Sequence, residues 1–219
     1  MTLNTIKPIL LYTLLSLMFM GCDGYKNHKE ALNTKNVSEY GDDLSDAVGE
    51  YEESRTDVST AIIKSTTNVS KKQEEKSVQI REISQAWEDN WKDAKKEFKD
   101  LDERFSTLGK ISQDYFKKLN QVRISIDDKE IRNSEKIKNI ALKKEWTQAY
   151  KQASSDMLKL SKIIVKGDDV HKVLLAATMR EKLVHNIDAL KDISQQASVL
   201  LKSLHNLTIE GQKLIRPHG

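Results

Sequence analysis

The sequence predicts an all-α protein, an elongated antiparallel bundle of three or four long helices with coiled-coil-like packing. Proline occurs only at Pro8 and Pro217, and only 8 of the 219 residues are glycine. Sandwiches, barrels and doubly wound sheets need many more turn residues, so this composition excludes them. Large apolar residues also recur at spacings of three and four, the period of an amphipathic helix. Long, charged helices bury only one stripe each, so they must pack against one another.

The charge of the chain is high but balanced. There are 36 Lys and Arg against 33 Asp and Glu, a formal net charge of +3, and charged residues make up 32% of the chain. A nucleic-acid-binding domain would show a clustered basic surplus, and an acidic disordered tail would show one sign of charge. Neither class is expected, and the charges are interpreted as the solvated faces of the helices.

The N-terminal residues have the pattern of an export signal. Lys7 precedes an apolar run over residues 9–20, which only Thr13 and Ser16 interrupt. A helix that crosses a bilayer needs about 20 apolar residues, whereas the apolar region of a signal peptide needs about 7–15. The length of the run therefore favours a signal peptide over residues 1–21.

Gly21 and Cys22 follow this run directly, and Cys22 is the only cysteine of the chain. A small residue before a cysteine at this place resembles the lipobox of bacterial lipoproteins. The resemblance implies that Cys22 receives a diacylglycerol, that the signal is cut before it, and that the new N-terminus is acylated. Phe19 and Met20 are bulkier than the residues the family prefers there. The alternatives are an uncleaved anchor, or an ordinary secretory signal with an incidental cysteine.

Chemistry also favours lipid attachment at Cys22. An unpaired cysteine in an exported protein would be a reactive thiol, and a thioether to lipid removes that reactivity. The expected location is the bacterial cell envelope, with the chain anchored to the membrane by lipid and facing the periplasm. Whether the inner or the outer membrane holds it stays open, because Asp23 only weakly resembles an inner-membrane retention signal.

The rest of the chain divides into a tether and a helical region. Residues 22–41 are polar and lack an apolar period, which predicts a flexible tether. The bundle is expected to occupy residues 42–215. Its first stripe keeps its spacing only if Arg55 occupies one position of the apolar seam. The apolar members of that stripe are Leu44, Val48, Tyr51, Val58 and Ile62. Residues 64–77 contain few apolar side chains and form either a connection or a solvated length of one long helix.

The clearest pattern is an aromatic ridge with 4-3 spacing. Its large members are Trp87, Trp91, Phe98, Leu101 and Phe105. This spacing places them on one face of a helix, where they are more typical of a core than of a cofactor site. The ridge is also the candidate surface for a partner helix or for self-association, provided that the bundle does not cover it fully.

Glycines and capping residues predict where helices break. Gly109 marks a change of phase or a loop, because glycine within a helix costs ~1 kcal/mol relative to alanine. Residues 125–130 contain capping side chains that predict a new helix start. That helix should end at Gly167, where Asp168 or Asp169 can cap the last helix. The last helix should end near Gly211, and by Pro217 at the latest.

No sequence motif indicates catalysis. The histidines never fall at four-residue spacing, and neither a glycine-rich phosphate loop nor a GxSxG elbow occurs, so no metal, cofactor or small-molecule substrate is expected. His171 lies near Asp168 and Asp169, but capping acids beside an exposed histidine are the favoured interpretation. His185 is expected to be a hydrogen-bonded residue at the edge of the apolar stripe.

Residues 129–144 contain six basic side chains, interleaved with Glu130 and Glu135. Such a segment can bind phosphate or anionic lipid headgroups. Ordinary solvation of a mixed-charge helix face is the favoured interpretation.

Residues 91–215 resemble an uncharacterised family of helical envelope proteins from proteobacteria. The resemblance rests on WKDAKKEFKDLDERF from Trp91, on Arg132, Ser134 and Lys138, and on LVHNIDA at 183–189. It implies a helical fold and an envelope location, and no site residue, because the family has no assigned activity.

These observations together predict a non-enzymatic, lipid-anchored envelope protein that acts as a helical scaffold or partner-binding module. The expected partners are the membrane, through the lipid on Cys22, and a protein or a second copy of the chain, through the helices. An immunity, exclusion or toxin-related lipoprotein that acts on a membrane protein is the alternative. An envelope hydrolase is a more remote one.

Overall fold

The computed structural model describes residues 37–74, 79–180 and 186–215. Their secondary structure consists of four helices, and no strand occurs in these ranges. The helices are α1 (Val37–Glu74), α2 (Ile80–Ile124), α3 (Lys129–Arg180) and α4 (Asn186–Ile215). The prediction of an all-α helical bundle is therefore confirmed.

Each helix packs beside two others, α1 and α3 both lying between α2 and α4. Neighbouring helices run in opposite directions. On α1, Tyr51 donates a hydrogen bond to the Leu204 carbonyl at 3.1 Å, and Arg55, one turn later, donates to the earlier Leu201 carbonyl at 3.1 Å. The same reversal relates α2 to α3, in the contacts Trp87–Gly167 and Tyr150–Phe105. The four helices thus form an antiparallel ring around one core.

Each helix contributes one apolar stripe to this core, as the 4-3 spacing predicts. The largest side chains that are almost fully buried come from all four helices: Leu44, Tyr51, Ile62, Trp87, Trp91, Leu101, Leu108, Leu160, Leu174, Leu190, Ile193 and Leu201. The charged residues occupy the remaining surface. The balanced charge of the chain is therefore mostly the solvated exterior of the bundle.

Gly167 does not end a helix, contrary to the prediction, because α3 continues through it to Arg180. A Cβ built on Gly167 would lie 1.9 Å from Cζ2 of Trp91. The missing side chain makes room for the indole of α2. Gly109 has the same role in α2, where a Cβ would lie 2.2 Å from the hydroxyl oxygen of Tyr150. Neither glycine lies in a loop.

The last helix also differs from the prediction. The predicted start at Asp168 or Asp169 lies inside α3, and α4 begins only at Asn186. α4 ends at Ile215, beyond Gly211 but before Pro217, as predicted. Gly211 lies inside α4, and a Cβ there would approach Cγ2 of Val48 to 2.5 Å. Three glycines that look like helix breakers are thus sites of close helix–helix approach.

Other helix boundaries agree more closely with the sequence. α1 begins at Val37, five residues before the expected start of the bundle, and includes residues 64–74 as continuous helix, while residues 75–78 lie outside the described ranges. α3 starts at Lys129, within the predicted segment. Asp128 caps it, since its Oδ1 accepts the backbone N–H groups of Glu130 and Ile131 at 2.9 Å each.

We expect Gly167→Ala to destabilise the bundle although alanine is the better helix former. Alanine gains ~1 kcal/mol in helix propensity, but the added Cβ must displace the Trp91 indole, and overpacking of this kind costs about 1–3 kcal/mol. The free energy of unfolding, measured by urea titration with circular dichroism, should fall.

Gly49→Ala is the matched control. Gly49 lies on the exposed face of α1, and no atom lies within 4 Å of its built Cβ. Its replacement should raise the free energy of unfolding by up to ~1 kcal/mol. Equal gains in both variants would contradict a packing role for Gly167.

Candidate functional site

Of the two predicted site features, Cys22 and the aromatic ridge, only the ridge lies within the described residues. Cys22, its signal peptide and most of its tether lie outside the described residues. The aromatic ridge lies on α2, within the bundle.

The two tryptophans of the ridge are stacked inside the core. Their ring centroids lie 4.7 Å apart at an interplanar angle of 13°. Trp87 Nε1 donates to the Gly167 carbonyl at 3.0 Å, and Trp91 Nε1 donates to the Ile164 carbonyl at 3.3 Å. Both indoles are buried with their only polar group satisfied, which is the arrangement of a structural core.

The remainder of the ridge is covered by α3 and α1. Leu101 is fully buried, and Phe98 is half-buried against the core. The Phe105 ring stacks on Tyr150 with centroids 4.6 Å apart, and the Tyr51 ring lies tilted beside it with centroids 6.2 Å apart. Trp87, Trp91, Leu101 and Phe105 are thus buried in the core, and Phe98 is the member of the ridge that stays partly exposed. Binding of a partner at the ridge stays a prediction.

A cluster of polar side chains joins α1 to α4. The Glu52 carboxylate accepts hydrogen bonds from Arg55 at 2.5 and 2.8 Å, from Thr208 Oγ1 at 2.6 Å and from His205 Nδ1 at 3.0 Å. Arg55 also donates to the Leu201 carbonyl. One carboxylate thus gathers donors from two helices at a single level of the bundle.

These donors lower the pKa of Glu52. Burial alone would raise it, but the hydrogen bonds from Arg55, Thr208 and His205 outweigh burial and lower the pKa from 4.5 to about 2. The hydrogen bond with Glu52 in turn raises the pKa of Arg55. The carboxylate stays ionised throughout the neutral range and serves as a fixed acceptor.

A second polar cluster joins α3 to α4 around Asp156. The Asp156 side chain is only 3% exposed. Its carboxylate accepts hydrogen bonds from Ser203 at 2.7 Å and from Gln152 and Lys159 at 3.0 Å each. Burial would raise the pKa of Asp156, but these donors outweigh burial and lower it. Ser203 lies two residues before His205 on α4, so neighbouring parts of this helix are fixed to α3 and to α1. The clusters fix the axial register of three helices, because each acceptor meets its donors at one position only.

Neither polar cluster was predicted from the sequence, although the position of Arg55 in the apolar seam indicated that it needs a polar partner. A charged residue at a seam position of an apolar stripe has to find a partner on a neighbouring helix. The sequence shows that such a partner is needed. Only the pairing of α1 with α4 identifies Glu52, His205 and Thr208 as the groups around it.

The histidine dyad near the expected helix break is not formed. Asp168 pairs with Lys95 at 2.9 Å, and Asp169 pairs with Lys172 at 2.7 Å. His171 Nε2 instead lies 4.0 Å from a carboxylate oxygen of Glu88 on α2. His185 lies outside the described residues.

A shallow, open groove between α1 and α4 is edged by Ile63 and Val199 and lined mainly by hydroxyl and amide side chains. Within the described ranges, no three His, Cys, Asp or Glu side chains lie close enough to hold a metal ion. None of the four described helices contains a stretch long and apolar enough to cross a bilayer.

We expect Glu52→Gln to destabilise the bundle and to change its response to acid. A carboxyl whose pKa falls from 4.5 to about 2 on folding contributes stability above pH 4.5 and loses it as the pH falls toward 2. The variant should lose about 1–3 kcal/mol at neutral pH, because Arg55 keeps only neutral acceptors. Its loss of stability between pH 4.5 and 2 should be shallower than that of the parent chain.

Glu53→Gln is the control for this experiment, because Glu53 is the exposed neighbour on the same helix. Urea unfolding of the three chains at several pH values measures the effect. Parallel pH profiles for the parent chain and Glu52→Gln would contradict the role of the cluster.

Comparisons of the chain with protein-family models, with curated proteins and with solved structures found no match. The resemblances to the lipoprotein signal and to a family of helical envelope proteins therefore stay predictions from the sequence.

Proposed function

We propose that this chain is a lipid-anchored, non-enzymatic protein of the bacterial cell envelope, in which a four-helix bundle acts as a scaffold or partner-binding module. The observation that carries the proposal is the Gly21–Cys22 pair at the end of a short apolar run, with Cys22 the only cysteine. Attachment of two or three acyl chains would hold the chain stably, since each buried CH₂ contributes ~0.8 kcal/mol.

The bundle has the properties of a rigid spacer. Residues 35–219 form one compact unit. α2 has 45 residues and α3 has 52, so the α2–α3 pair extends for about 70–80 Å. The polar clusters at Glu52 and Asp156 oppose sliding of the helices. A rigid bundle of this kind would hold a bound partner at a fixed distance from the membrane.

The tether supports the same proposal. Cys22 precedes the start of α1 at Val37 by 15 residues, a length of chain that reaches at most ~50 Å. An acylated Cys22 would therefore keep the bundle close to the membrane and present its charged outer faces to proteins there.

The decisive experiment replaces the cysteine in cells of a bacterium that lipidates exported proteins. We expect the parent chain to incorporate labelled palmitate and to have the mass of residues 22–219 plus the lipid. Cys22→Ala should lose the label and keep its full precursor mass, because no modified cysteine directs cleavage.

Gly24→Ala is the matched control, since it changes a small residue two positions later and leaves the cysteine in place. It should be labelled and processed like the parent chain. Palmitate label on Cys22→Ala, or cleavage of the parent chain without lipid, would overturn the lipoprotein assignment. The second result would favour an ordinary secretory signal.

A further inference from the structure

The α2–α3 hairpin extends beyond the other two helices at one end of the bundle. Tyr115 on α2 donates a hydrogen bond at 2.9 Å to the carbonyl of Leu214, one residue before α4 ends. Lys118 lies 5.4 Å from the ring centroid of Tyr40, three residues after α1 begins. α2 continues beyond both contacts to Ile124. In the described part of the chain, the end of α2 and the first turns of α3 therefore pack mainly on each other.

Five exposed aliphatic side chains lie on this segment, residues 117–144, which we call the hairpin tip. Their exposure ranges from 36% at Val122 to 70% at Ile137. The set consists of Val122, Ile124, Ile131, Ile137 and Ile140. Exposed apolar groups that lie close together are typical of a surface that contacts a partner or a membrane.

The hairpin tip is also the most basic part of the bundle. It contains nine Lys and Arg against four Asp and Glu, a net charge of +5, whereas the whole chain carries +3. Two of the four acidic side chains are engaged locally: Asp128 caps α3, and Glu135 pairs with Lys138 at 2.8 Å.

One face of α3 combines both properties. Lys129, Lys136, Ile137, Ile140 and Lys144 are all exposed, and their spacings of four, seven and eight residues place them on one side of the helix. None of the ion pairs between described residues involves these three lysines. The face is an amphipathic surface of isoleucine and unpaired ammonium groups.

We propose that the hairpin tip docks on a membrane surface through anionic lipid headgroups, with the lysines at the phosphates and the isoleucines in the interface. Polybasic segments with neighbouring apolar side chains bind anionic bilayers in this way. A second copy of the chain is a poor occupant, because two tips of charge +5 repel each other.

The position of the N-terminus selects a membrane over an acidic protein. The Lys118–Tyr40 contact places the start of α1 at the same end of the bundle as the hairpin tip. The proposal rests on the proposed function, in which Cys22 anchors the chain by lipid. The tether then holds this end of the bundle near the bilayer, and the tip provides a second attachment that orients the bundle.

The test uses residues 22–219 with Cys22→Ser, which carry no lipid and retain the compact unit of residues 35–219. Binding is measured by flotation with vesicles of phosphatidylcholine, alone or mixed with phosphatidylglycerol. We expect binding only to the mixed vesicles, and we expect salt to weaken it.

The triple change Lys129→Gln, Lys136→Gln and Lys144→Gln should weaken vesicle binding by ~100-fold. The double change Ile137→Ser and Ile140→Ser should also weaken it.

Two control variants match these changes elsewhere on the surface. Lys71→Gln with Lys191→Gln and Lys202→Gln removes the same charge, and Ile63→Ser with Val199→Ser removes exposed aliphatic groups. Both should bind like the parent chain, and circular dichroism should be unchanged in all variants. Binding to neutral vesicles, equal losses in the control variants, or binding of an acidic peptide without binding of anionic vesicles would overturn the proposal.

A failure of the membrane-docking proposal is distinct from a failure of the lipoprotein assignment, because vesicle binding is measured on Cys22→Ser chains that carry no acyl group. Loss of vesicle binding leaves palmitate labelling at Cys22 unaffected. Absence of that label with intact vesicle binding would count against the lipid anchor alone.

Discussion

The close approach of α2 and α3 at two glycines is the contact on which the rest of the structure depends. Trp91 of α2 lies against Gly167 of α3, and Tyr150 of α3 lies against Gly109 of α2. The two contacts reciprocate, so they fix both the distance and the axial register of the longest pair of helices. A side chain at either glycine would force the aromatic ring out of the core. The stacked tryptophans and the covered ridge follow from this fit.

The α2–α3 register also determines what is left uncovered. The polar clusters of Glu52 and Asp156 hold α1 and α4 in the ring. In the described part of the chain, α1 begins and α4 ends before the level of the α2–α3 turn is reached. The same contacts that close the core therefore leave the hairpin tip with isoleucines and lysines facing water. This arrangement is the basis of the proposed attachment of the bundle at that end.

Much of the fold could be predicted from the sequence, and less of the site. The apolar stripes gave the helices, and the 4-3 spacing from Trp87 to Phe105 identified a core face. The partners of Arg55 could not be predicted, because they lie about 150 residues away on α4. The hairpin tip was visible only as a basic segment. Its exposure depends on where α1 and α4 end relative to it, and periodicity within one helix carries no such information.

The sequence by itself determined the all-α class, the solvated charge and the cysteine at the end of an apolar run, because these depend on composition and local spacing. The tertiary structure alone decided the roles of Gly109, Gly167 and Gly211. A glycine costs a helix only ~1 kcal/mol, and burial of an aromatic ring in the space it leaves outweighs that cost. Whether such a residue ends a helix or receives a neighbour is therefore determined by the helix packed against it.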